Sequence, residues 1–577
     1  MLHNKSSLYL ITSLLLTLAC APEQMPQAGG GSDDKEVEAG GDTPQEPQGN
    51  LVGTITDAET GEPVAGVPVT DGYTYTVTDA DGNYRLQGHE LARTVYMSVP
   101  ADYEIPTDEH HMPAFYKPVS FDAPDAVCRR DFTLTPRQKQ SDNFLLASVA
   151  DVHIFDDAEL ELFRTTTLSD LVSFVDDKTG DGCEECIAVF CGDQMSDKKE
   201  MMPKFKALLQ NEGLYTDRKL TFFQCIGNHD FTLPDPSEGL EVDTYNTSKT
   251  FVDNFGPTDY SFNIGKAHVV VMNNMIVTGS GVTRDNTVLC VSYKGGFTTE
   301  QLSWLKSDLA QVKNPAEKVI ILYVHVPIKS SSAQNYQAVA QLLTPFSEAH
   351  IISGHTHKLE NYIHNRTCAG GRKLYEHNVQ MGCGTWWKSN LSVDGSPSGY
   401  SMMRFAGNRL LESVNKSVEL DASNQIRVYC GDDVYGAEVE VTDKTTEQKE
   451  TLTFSWKDEL KGKFVARVWD CDKENWSVEF VQDGVSYPMT RVDAVVDEAA
   501  YAFNFHELHV PYGGWKTYKV ATDTFWTFAP RSGDPKAETG WKIVAKHTPS
   551  PGWTLTYETS DLETSYADFA SKLSRNN

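Results

Sequence analysis

The chain has 577 residues, of which 40% are hydrophobic and 23% are charged, a composition typical of globular domains. This length is enough for about three or four domains. Asp and Glu number 81 against 50 Lys and Arg, so the formal net charge is −31 at pH 7. Because such a chain repels polyanions at long range, the composition argues against nucleic acid as a partner.

Residues 1–20 predict an export signal. Lys5 precedes an apolar run at residues 8–19 that is too short to span a bilayer. Leu18-Ala19-Cys20 resembles a bacterial lipobox in which Cys20 is the lipidated residue, and cleavage without lipidation is the alternative. We therefore expect an exported lipoprotein of a bacterial cell envelope, facing the periplasm or the surface, that meets the membrane only through a lipid anchor.

Residues 21–50 predict a flexible tether, because Gly, Pro, Gln and acidic residues dominate and cannot form a core. Residues 51–137 predict a small β-sandwich of short strands, including 52–55 and 67–69. Asp79 to Asn83 predicts a turn between two of its strands. An EF-hand calcium loop is the alternative there, but Tyr84 stands where that motif needs glycine.

Five short polar motifs follow five apolar, strand-like runs in the middle of the chain. The runs are residues 145–150, 187–191, 220–226, 319–324 and 350–352. The motifs are Asp151-Val152-His153, Gly192-Asp193, Gly227-Asn228-His229-Asp230, His325 and Gly354-His355-Thr356-His357. Short apolar runs predict strands that are buried on both faces, and in open α/β sheets binding sites form at the carboxyl ends of such strands.

The donors in these motifs predict a catalytic metal site. Carboxylate, amide and imidazole groups suit zinc, manganese or iron, whereas structural zinc sites are commonly rich in cysteine. Apart from His229 and Asp230 there are seven donors, too many for one tetrahedral ion, so we expect two ions that share a bridge. A lone histidine such as His325 is more often a satisfied core or surface residue, but five motifs in order favour ligands.

The ordered pattern DxH, GD, GNH(D/E), H and GHxH resembles that of the calcineurin-like metallophosphoesterases. The resemblance implies two divalent metal ions, either Mn, Fe or Zn. One would be held by Asp151, His153 and His357, the other by Asn228, His325 and His355, and both by a bridging Asp193. It further implies that a metal-bound hydroxide attacks a phosphate mono- or diester while His229 acts as the general acid.

The partner of His229 is not fixed by this pattern. Several relatives carry an acidic residue or, in purple acid phosphatases, a tyrosine three positions after the bridging aspartate, where this chain has Ser196. Asp197 and Asp230 are both candidates for the group that raises the pKa of His229. Asp230 is the second residue that we predict to be catalytic.

The flanking regions also resemble parts of this family. Residues 53–84 resemble carboxypeptidase regulatory-like, transthyretin-like modules that precede some metallophosphoesterases, as in a bacterial three-domain type. The resemblance implies an α/β central domain at 142–390, a four-layer αββα sandwich, between the N-terminal β-sandwich and a C-terminal β-rich domain at 395–577. In the last region, alternating runs predict strands at residues 426–430, 438–442, 451–456, 463–469 and 476–480.

Two helices are predicted between the motifs, at residues 160–175 and 298–312. In the second helix Thr298 and Gln301 form a capping-box pattern. Its apolar residues recur at helical spacing and form one face, which we expect to cover a sheet: Leu302, Leu305, Leu309 and Val312.

Gly384-Thr385-Trp386-Trp387 follows the last motif. Adjacent residues of a strand point to opposite faces. We therefore predict that one tryptophan packs in the core or against the C-terminal domain, while the other faces the metal cleft and stacks on a base, an aryl group or a sugar ring. The alternative is that both only pack at the domain interface.

Two functions from different classes fit these features. The first is an exported dimetal phosphoesterase acting on a small-molecule, glycan-linked or lipid-linked phosphoester. The second is a cell-surface lipoprotein that binds glycan or protein and whose central domain holds structural metals. Metal-dependent hydrolysis distinguishes them. Monoesters, diesters and pyrophosphates need the same dimetal chemistry, so the motifs do not choose among these substrates.

Overall fold

The structure is a computed structural model that describes residues 49–563, except 122–125, 140, 180–184, 211–219, 283–288, 330–332, 433–437, 443–445, 455, 509–519 and 549–554, together with residues 565, 567 and 572. The predicted signal at 1–20 and nearly all of the predicted tether at 21–50 lie outside these residues. None of the described helices has the length and apolar character of a membrane span.

The N-terminal region consists of two small sheets that share an apolar core. Its strands are β1 Leu51–Asp57, β2 Pro68–Thr70, β3 Tyr75–Val77, β4 Asn83–Leu86, β5 Thr94–Met97, β6 Tyr116–Pro118, β7 Cys128–Arg129 and β8 Phe132–Leu134. One sheet has the order β4-β1-β7, with β8 also paired to β1, and the other has the order β3-β2-β5-β6. The predicted turn is present, because the Asp79 carboxylate accepts hydrogen bonds from the backbone N–H groups of Asp81 and Asn83 at 3.0 and 2.9 Å.

The central region alternates strands and helices. Its strands are β9 Asn143–Val149, β10 Glu185–Phe190, β11 Leu220–Gln224, β12 Tyr260–Ile264, β13 Ala267–Val271, β14 Met275–Val282, β15 Leu289–Gly295, β16 Val319–Tyr323, β17 Glu348–Ser353, β18 Glu360–Thr367, β19 Lys373–Asn378, β20 Gly399–Ala406 and β21 Arg409–Ser417. Its helices are α1 Asp157–Phe163, α2 Ser169–Thr179, α3 Met202–Leu209, α4 Thr244–Thr247, α5 Lys249–Phe255, α6 Thr299–Leu309 and α7 Tyr336–Leu342.

Two mixed sheets stack in this region. One has the order β11-β10-β9-β20-β21 and the other β12-β13-β16-β17-β19-β18. Side chains alternate between the faces of a strand. Accordingly, Phe144 and Leu146 of β9 join the core shared with the second sheet, while Leu145 and Ala147 pack in the core that contains α1 and α3. Helix α6 packs against the second sheet, so the layers confirm the predicted αββα sandwich.

The predicted helices are present with altered ends. Residues 160–175 fall in α1 and α2, which a π-helical turn at Arg164–Leu168 joins. The capping box of α6 forms as predicted, since the Thr298 hydroxyl accepts from the Gln301 N–H at 3.2 Å and the Gln301 side chain accepts from the Thr298 N–H at 2.9 Å. Helix α6 ends at Leu309 rather than at residue 312.

The C-terminal region is rich in strands, as predicted. It contains β22 Ile426–Cys430, β23 Glu438–Thr442, β24 Lys449–Thr453, β25 Phe464–Val468, β26 Trp476–Gln482, β27 Val485–Pro488, β28 Thr490–Val492, β29 Val495–Val496, α8 Glu498–Leu508, β30 Ala521–Thr522, β31 Phe525–Phe528, β32 Trp541–His547 and β33 Leu555–Thr559. Sheets of order β22-β25-β31-β28 and β27-β26-β32-β33 enclose an aromatic core. Helix α8 has no counterpart among the predicted elements.

The central sheet extends beyond residue 395, where the sequence placed the start of the C-terminal domain. Strand β20 pairs antiparallel with β9, and β21 pairs with β20. Buried polar contacts then join the C-terminal region to the centre. The Arg467 guanidinium lies 2.8 Å from the Asp394 carboxylate, and the Tyr375 hydroxyl donates to Asp472 at 2.8 Å.

Candidate metal centre

Each of the five motifs begins within three residues of the end of a central strand. Strands β9 and β10 are parallel neighbours, so their following loops run side by side. The Asp151 N–H donates to the Gly192 carbonyl at 3.1 Å, and the His153 N–H donates to the Asp193 carbonyl at 2.9 Å. The His355 N–H donates to the Asp151 carboxylate at 2.9 Å, which brings the loop after β17 to the same edge. The predicted convergence of strand ends is therefore observed.

One group of donors consists of Asp151, His153 and His357. The Nε2 atoms of the two histidines are 3.0 Å apart. His357 Nε2 lies 3.2 Å from Asp151 Oδ1, and His153 Nε2 lies 3.7 Å from the same oxygen. These side chains are buried or nearly buried, and their donor atoms all lie within 4.8 Å of one another. This is the set that the resemblance assigned to the first ion.

A second group consists of Asp193, His325 and His355, whose donor atoms also lie within 4.8 Å of one another. His325 Nε2 is 3.1 Å from Asp193 Oδ2 and 3.1 Å from Asn228 Oδ1. Asp193 Oδ2 is also 3.8 Å from His153 Nε2 in the first group. Asp193 therefore stands between the two groups, as a bridging ligand must, and all seven predicted ligands lie in one cluster.

The environment of His325 shows that this donor set fits a cation. Its Nδ1 lies 2.8 Å from the Cys191 carbonyl oxygen, which can only accept a hydrogen bond, so Nδ1 carries a proton. In the neutral ring Nε2 is then a lone-pair donor, and it faces the oxygens of Asp193 and Asn228. Lone pairs that converge in this way need a positive charge between them, and a backbone bond that fixes the outer nitrogen is typical of metal-binding histidines.

The pKa values of the buried groups agree with this interpretation. Burial opposes protonation of His325, yet the facing Asp193 carboxylate raises its pKa to about 9. The cluster thus favours positive charge at this position. Burial lowers the pKa of His355 to about 4, with a further decrease from the positive charge of His325. His355 is therefore neutral at pH 7 and has a lone pair available for an ion.

Five of the seven predicted ligands have a left-handed backbone conformation, which non-glycine residues rarely adopt. The φ angles are 53° at Asp151, 51° at His153, 54° at Asp193, 68° at His355 and 56° at His357. This conformation costs about 1–3 kcal/mol of folding free energy per residue, so it persists only where surrounding contacts hold the backbone. The packing of the loops that carry these residues therefore fixes their shape without a bound ion.

The glycines of two motifs allow these loops to approach one another. A Cβ on Gly227 would lie 2.0 Å from the backbone nitrogen of Asp193. A Cβ on Gly192, whose φ is 96°, would lie 2.4 Å from His325 Nδ1. Neither position has room for a side chain, so glycine in the GD and GNHD motifs is required by the close packing of ligand loops.

The partner of His229 is Asp197. His229 Nδ1 lies 2.5 Å from Asp197 Oδ2, and the His229 N–H donates to Asp193 Oδ1 at 2.8 Å. The imidazole side chain remains 30% exposed. Burial disfavours its protonated form, but the carboxylates of Asp193 and Asp197 raise its pKa to about 9. His229 therefore holds a proton at neutral pH, as a general acid must.

Asp230 has a different environment from the one expected of a partner for His229. Its carboxylate is fully buried and accepts hydrogen bonds from the backbone N–H groups of Met195 and Gly227 at 2.9 and 2.8 Å. The Met195 bond joins the loop after β10 to the loop after β11, and the Gly227 bond lies within the second of these loops. The catalytic role of Asp230 stays a prediction, and its visible contacts position the loops that carry Asp193 and Asn228.

The tryptophan pair lies in a turn, so the prediction of a strand was wrong. Both residues have left-handed backbones, with φ of 45° at Trp386 and 61° at Trp387. Trp387 is buried beside Phe163 and donates from Nε1 to the Val152 carbonyl at 2.9 Å. The Trp386 ring centroid is 5.5 Å from that of His357. One indole therefore packs in the core and the other contacts the metal centre.

Sequence reasoning missed one residue at the centre, Tyr293 of β15. Its hydroxyl oxygen lies 3.3 Å from His355 Nε2, and the two rings meet edge to face with centroids 6.2 Å apart. Tyr293 belongs to no motif, and only the tertiary placement of the β14–β15 hairpin brings it here. Ser196 was noted, and its hydroxyl lies 3.5 Å from His153 Nδ1.

The layered fold and the His/Asp cluster define a metallophosphoesterase. Family profiles agree: the profile for calcineurin-like phosphoesterase matches residues 145–359, that for its N terminal matches 49–137 and that for its C terminal matches 376–543. The chain belongs to the calcineurin-like phosphoesterase family, and its three-part organisation confirms the predicted type. It is accordingly assigned to the metal-dependent phosphoester hydrolases.

Solved structures show more distant similarity. The purple acid phosphatase PPD1 from yellow lupin (Lupinus luteus) seeds is 13% identical over 48% of this chain and 52% of its own, with a TM-score of 0.31. The sulfate thiohydrolase SoxB of Thermus thermophilus is 10% identical over 48% and 56%, with a TM-score of 0.26. The NAD nucleotidase NadN of Haemophilus influenzae is 10% identical over 55% and 54%, with a TM-score of 0.25.

This chain thus spans about half the length of these structures. No curated protein sequence matches the chain.

Proposed function

We propose that the protein is an exported, two-metal phosphoesterase that hydrolyses phosphate mono- or diesters, with His229 as the general acid. The observation that carries the proposal is the placement of Asp193 between two groups of donors, 3.1 Å from His325 Nε2 and 3.8 Å from His153 Nε2. Divalent ions in such a site, whether Mn, Fe or Zn, activate water and offset the charge of the phosphoryl oxygens.

Side chains beside the donor groups supply and orient the proton for the leaving oxygen. Asp197 occupies His229 Nδ1, which leaves Nε2 as the ring nitrogen that can give a proton to the leaving oxygen. The charged pair lies beside Asp193, to which the His229 N–H is bonded at 2.8 Å. This bond fixes the donor relative to the ligands, so the proton is held where the ester bond breaks.

Trp386 supports a substrate with a planar or ring-shaped leaving group. Its ring lies against the imidazoles of His357 and His153, at centroid distances of 5.5 and 6.4 Å, and the residue is partly exposed. An indole in this position offers an apolar face to a base, an aryl group or a sugar. We propose a small-molecule, glycan-linked or lipid-linked phosphoester as the substrate.

The proposed location in the cell rests on residues 1–20 alone. The apolar run and Cys20 support export and lipidation, with the catalytic region attached to a bacterial membrane through the tether. Cys20→Ala should release the protein from the membrane fraction of cells that express it. If the wild type is already found in the soluble fraction, the anchor is wrong.

A hydrolysis panel tests the enzymatic proposal. The metal-free protein should be assayed with added manganese, zinc or iron on alkyl and aryl monoesters, diesters and pyrophosphates. We expect turnover only with metal, and the preferred ester class identifies the substrate type. Binding of metal without hydrolysis of any substrate would favour the alternative, a surface protein that binds glycan or protein and whose metals are structural.

A further inference from the structure

We infer that Tyr293 is a catalytic residue that donates its hydroxyl hydrogen bond to a nonbridging oxygen of the bound phosphoester, beside His355. This inference rests on the proposed function and adds a substrate contact that no motif of the chain supplies.

The first observation is the position of the hydroxyl. Tyr293 Oη lies 3.3 Å from His355 Nε2, and His355 shares a cluster with Asp193 and His325. Tyr293 is partly exposed, although its ring also packs against the core that contains α1 and α3. A group in this place can contact a ligand that enters the site.

The second observation is a conflict over one lone pair. A neutral imidazole has a single nitrogen lone pair, which can serve a hydroxyl or a metal ion but not both. When the lone pair of His355 binds an ion, the ring cannot also accept from the Tyr293 hydroxyl: either Nε2 holds the ion, or Nδ1 holds it and Nε2 carries a proton that Tyr293 Oη accepts. In both cases the hydroxyl proton needs another acceptor, because a partly buried hydroxyl without one is unfavourable. The nonbridging oxygens of a phosphoester are strong acceptors in that position.

The third observation is the rigidity of the hairpin that carries Tyr293. Asn274 directly precedes β14, and its side-chain amide makes two hydrogen bonds with the backbone of Val326. The amide nitrogen donates to the Val326 carbonyl at 2.5 Å, and the amide oxygen accepts from the Val326 N–H at 3.1 Å. Val326 directly follows the ligand His325. The Val277 N–H, opposite Tyr293 in the hairpin, donates to the Thr244 hydroxyl at 2.9 Å. Tyr293 is therefore held in a fixed position relative to the metal loops, as a preorganised donor requires.

Trp386 and Tyr293 lie beside different halves of the predicted metal centre. Trp386 contacts the ligands of one predicted ion, His153 and His357, and Tyr293 contacts His355, a ligand of the other. An apolar indole suits the leaving group, whereas a hydroxyl suits the phosphoryl oxygens. This division assigns the phosphoryl group to the Tyr293 side and the organic part of the substrate to the Trp386 side.

The test compares three proteins, Tyr293→Phe, wild type and Tyr487→Phe, all loaded with manganese. Tyr487 is a matched control, since it lies in the C-terminal region and its hydroxyl accepts a hydrogen bond from Arg531 at 3.3 Å. Metal content, melting temperature, the Kd for inorganic phosphate and kcat/KM should be measured for each. We expect Tyr293→Phe to bind phosphate about fivefold more weakly and to lose about 10- to 100-fold in kcat/KM, with metal content and melting temperature unchanged.

Other results would overturn the inference. Equal phosphate affinity in Tyr293→Phe and wild type would show that the hydroxyl does not touch the phosphoryl group, and so would a metal-loaded wild type that binds no phosphate. A parallel loss of metal would assign Tyr293 to the support of His355. The phosphate measurement needs no turnover, so it separates failure of this inference from failure of the proposed hydrolase activity.

Discussion

Asp197 and His229 form a close charged pair, with Asp197 Oδ2 2.5 Å from His229 Nδ1. The pair orients the imidazole and stabilises its protonated form, and proton donation matters most when the leaving alkoxide is strongly basic. We expect His229→Asn to lose about 100-fold or more in kcat/KM on alkyl esters and less on nitrophenyl esters, with metals retained. Asp197→Asn should show the same pattern with a smaller loss.

The comparison of leaving groups is the decisive measurement for this pair. Equal losses on alkyl and nitrophenyl esters would give His229 a role other than general acid. Ser196→Ala is the matched control from the same loop, because the contact of its hydroxyl with His153 is long, at 3.5 Å.

Asp193 should be essential to both metal binding and turnover. Its carboxylate lies between the two donor groups, so Asp193→Asn removes the negative charge that offsets repulsion between two cations. We expect bound metal to fall and hydrolysis to disappear together, as measured by elemental analysis and steady-state assay. A metal-depleted variant with full activity would contradict the proposed two-metal mechanism.

The two tryptophans should behave differently when each is replaced by alanine. Trp387 is 6% exposed and bonded to Val152, so Trp387→Ala should cost about 3–5 kcal/mol of stability and lower the melting temperature. Trp386→Ala should leave the melting temperature nearly unchanged and raise KM about threefold to tenfold for nucleotide or sugar phosphoesters, but not for a small phosphoester. Early melting of both variants with equal loss on all substrates would exclude stacking.

The half-buried position of the Asp259 carboxyl should make the free energy of unfolding depend on pH. Burial raises the pKa of this half-buried carboxyl from 3.8 to about 6, although hydrogen bonds from Thr258 and Gln301 oppose the shift. Because the folded pKa exceeds the unfolded value, the folded protein binds the proton more tightly, and this contribution to stability is lost as pH rises from 4 to 6. Asp259→Asn does not titrate, so it should be about 1–2 kcal/mol more stable than wild type at pH 8 and not at pH 4.

Melting temperatures at pH 4 and pH 8 test this expectation. The exposed Asp483, which lies in a turn of the C-terminal region, provides a matched Asp→Asn control. A wild type that melts above Asp259→Asn at pH 8 would show that the charged carboxylate is stabilised by its neighbours.

The cluster of predicted ligands could be predicted because its motifs are local in sequence and because loops that follow parallel strands generally converge at one edge of a sheet. Apolar runs such as residues 319–324 mark buried strands, and parallel strands carry their following loops to one edge of a sheet. The capping box of α6 could be predicted for the same reason, since Thr298 and Gln301 are separated by one helical turn. These patterns depend on neighbours in the sequence and on the periods of strand and helix.

The features that could not be predicted depend on contacts between residues that are distant in sequence. Asp197 and Asp230 flank His229 in ways that the sequence cannot rank, and only the packing of two loops turns Asp230 towards Met195 and Gly227. The turn at Trp386 and Trp387 has no local signal, because a left-handed tryptophan is held by its surroundings and not by propensity. Similarly, β20 returns to pair with β9 across a long separation in sequence.

The left-handed backbone at five predicted ligands has a consequence for protein engineering. Transplanting this centre into another scaffold would require loops that hold non-glycine residues in that conformation, in addition to the correct side chains. Glycine at any of these positions would relax the backbone but remove a ligand, so stability and metal binding are opposed there. The seven side chains are therefore not portable as a residue set, and a successful graft would have to copy the loops together with the strand ends that restrain them.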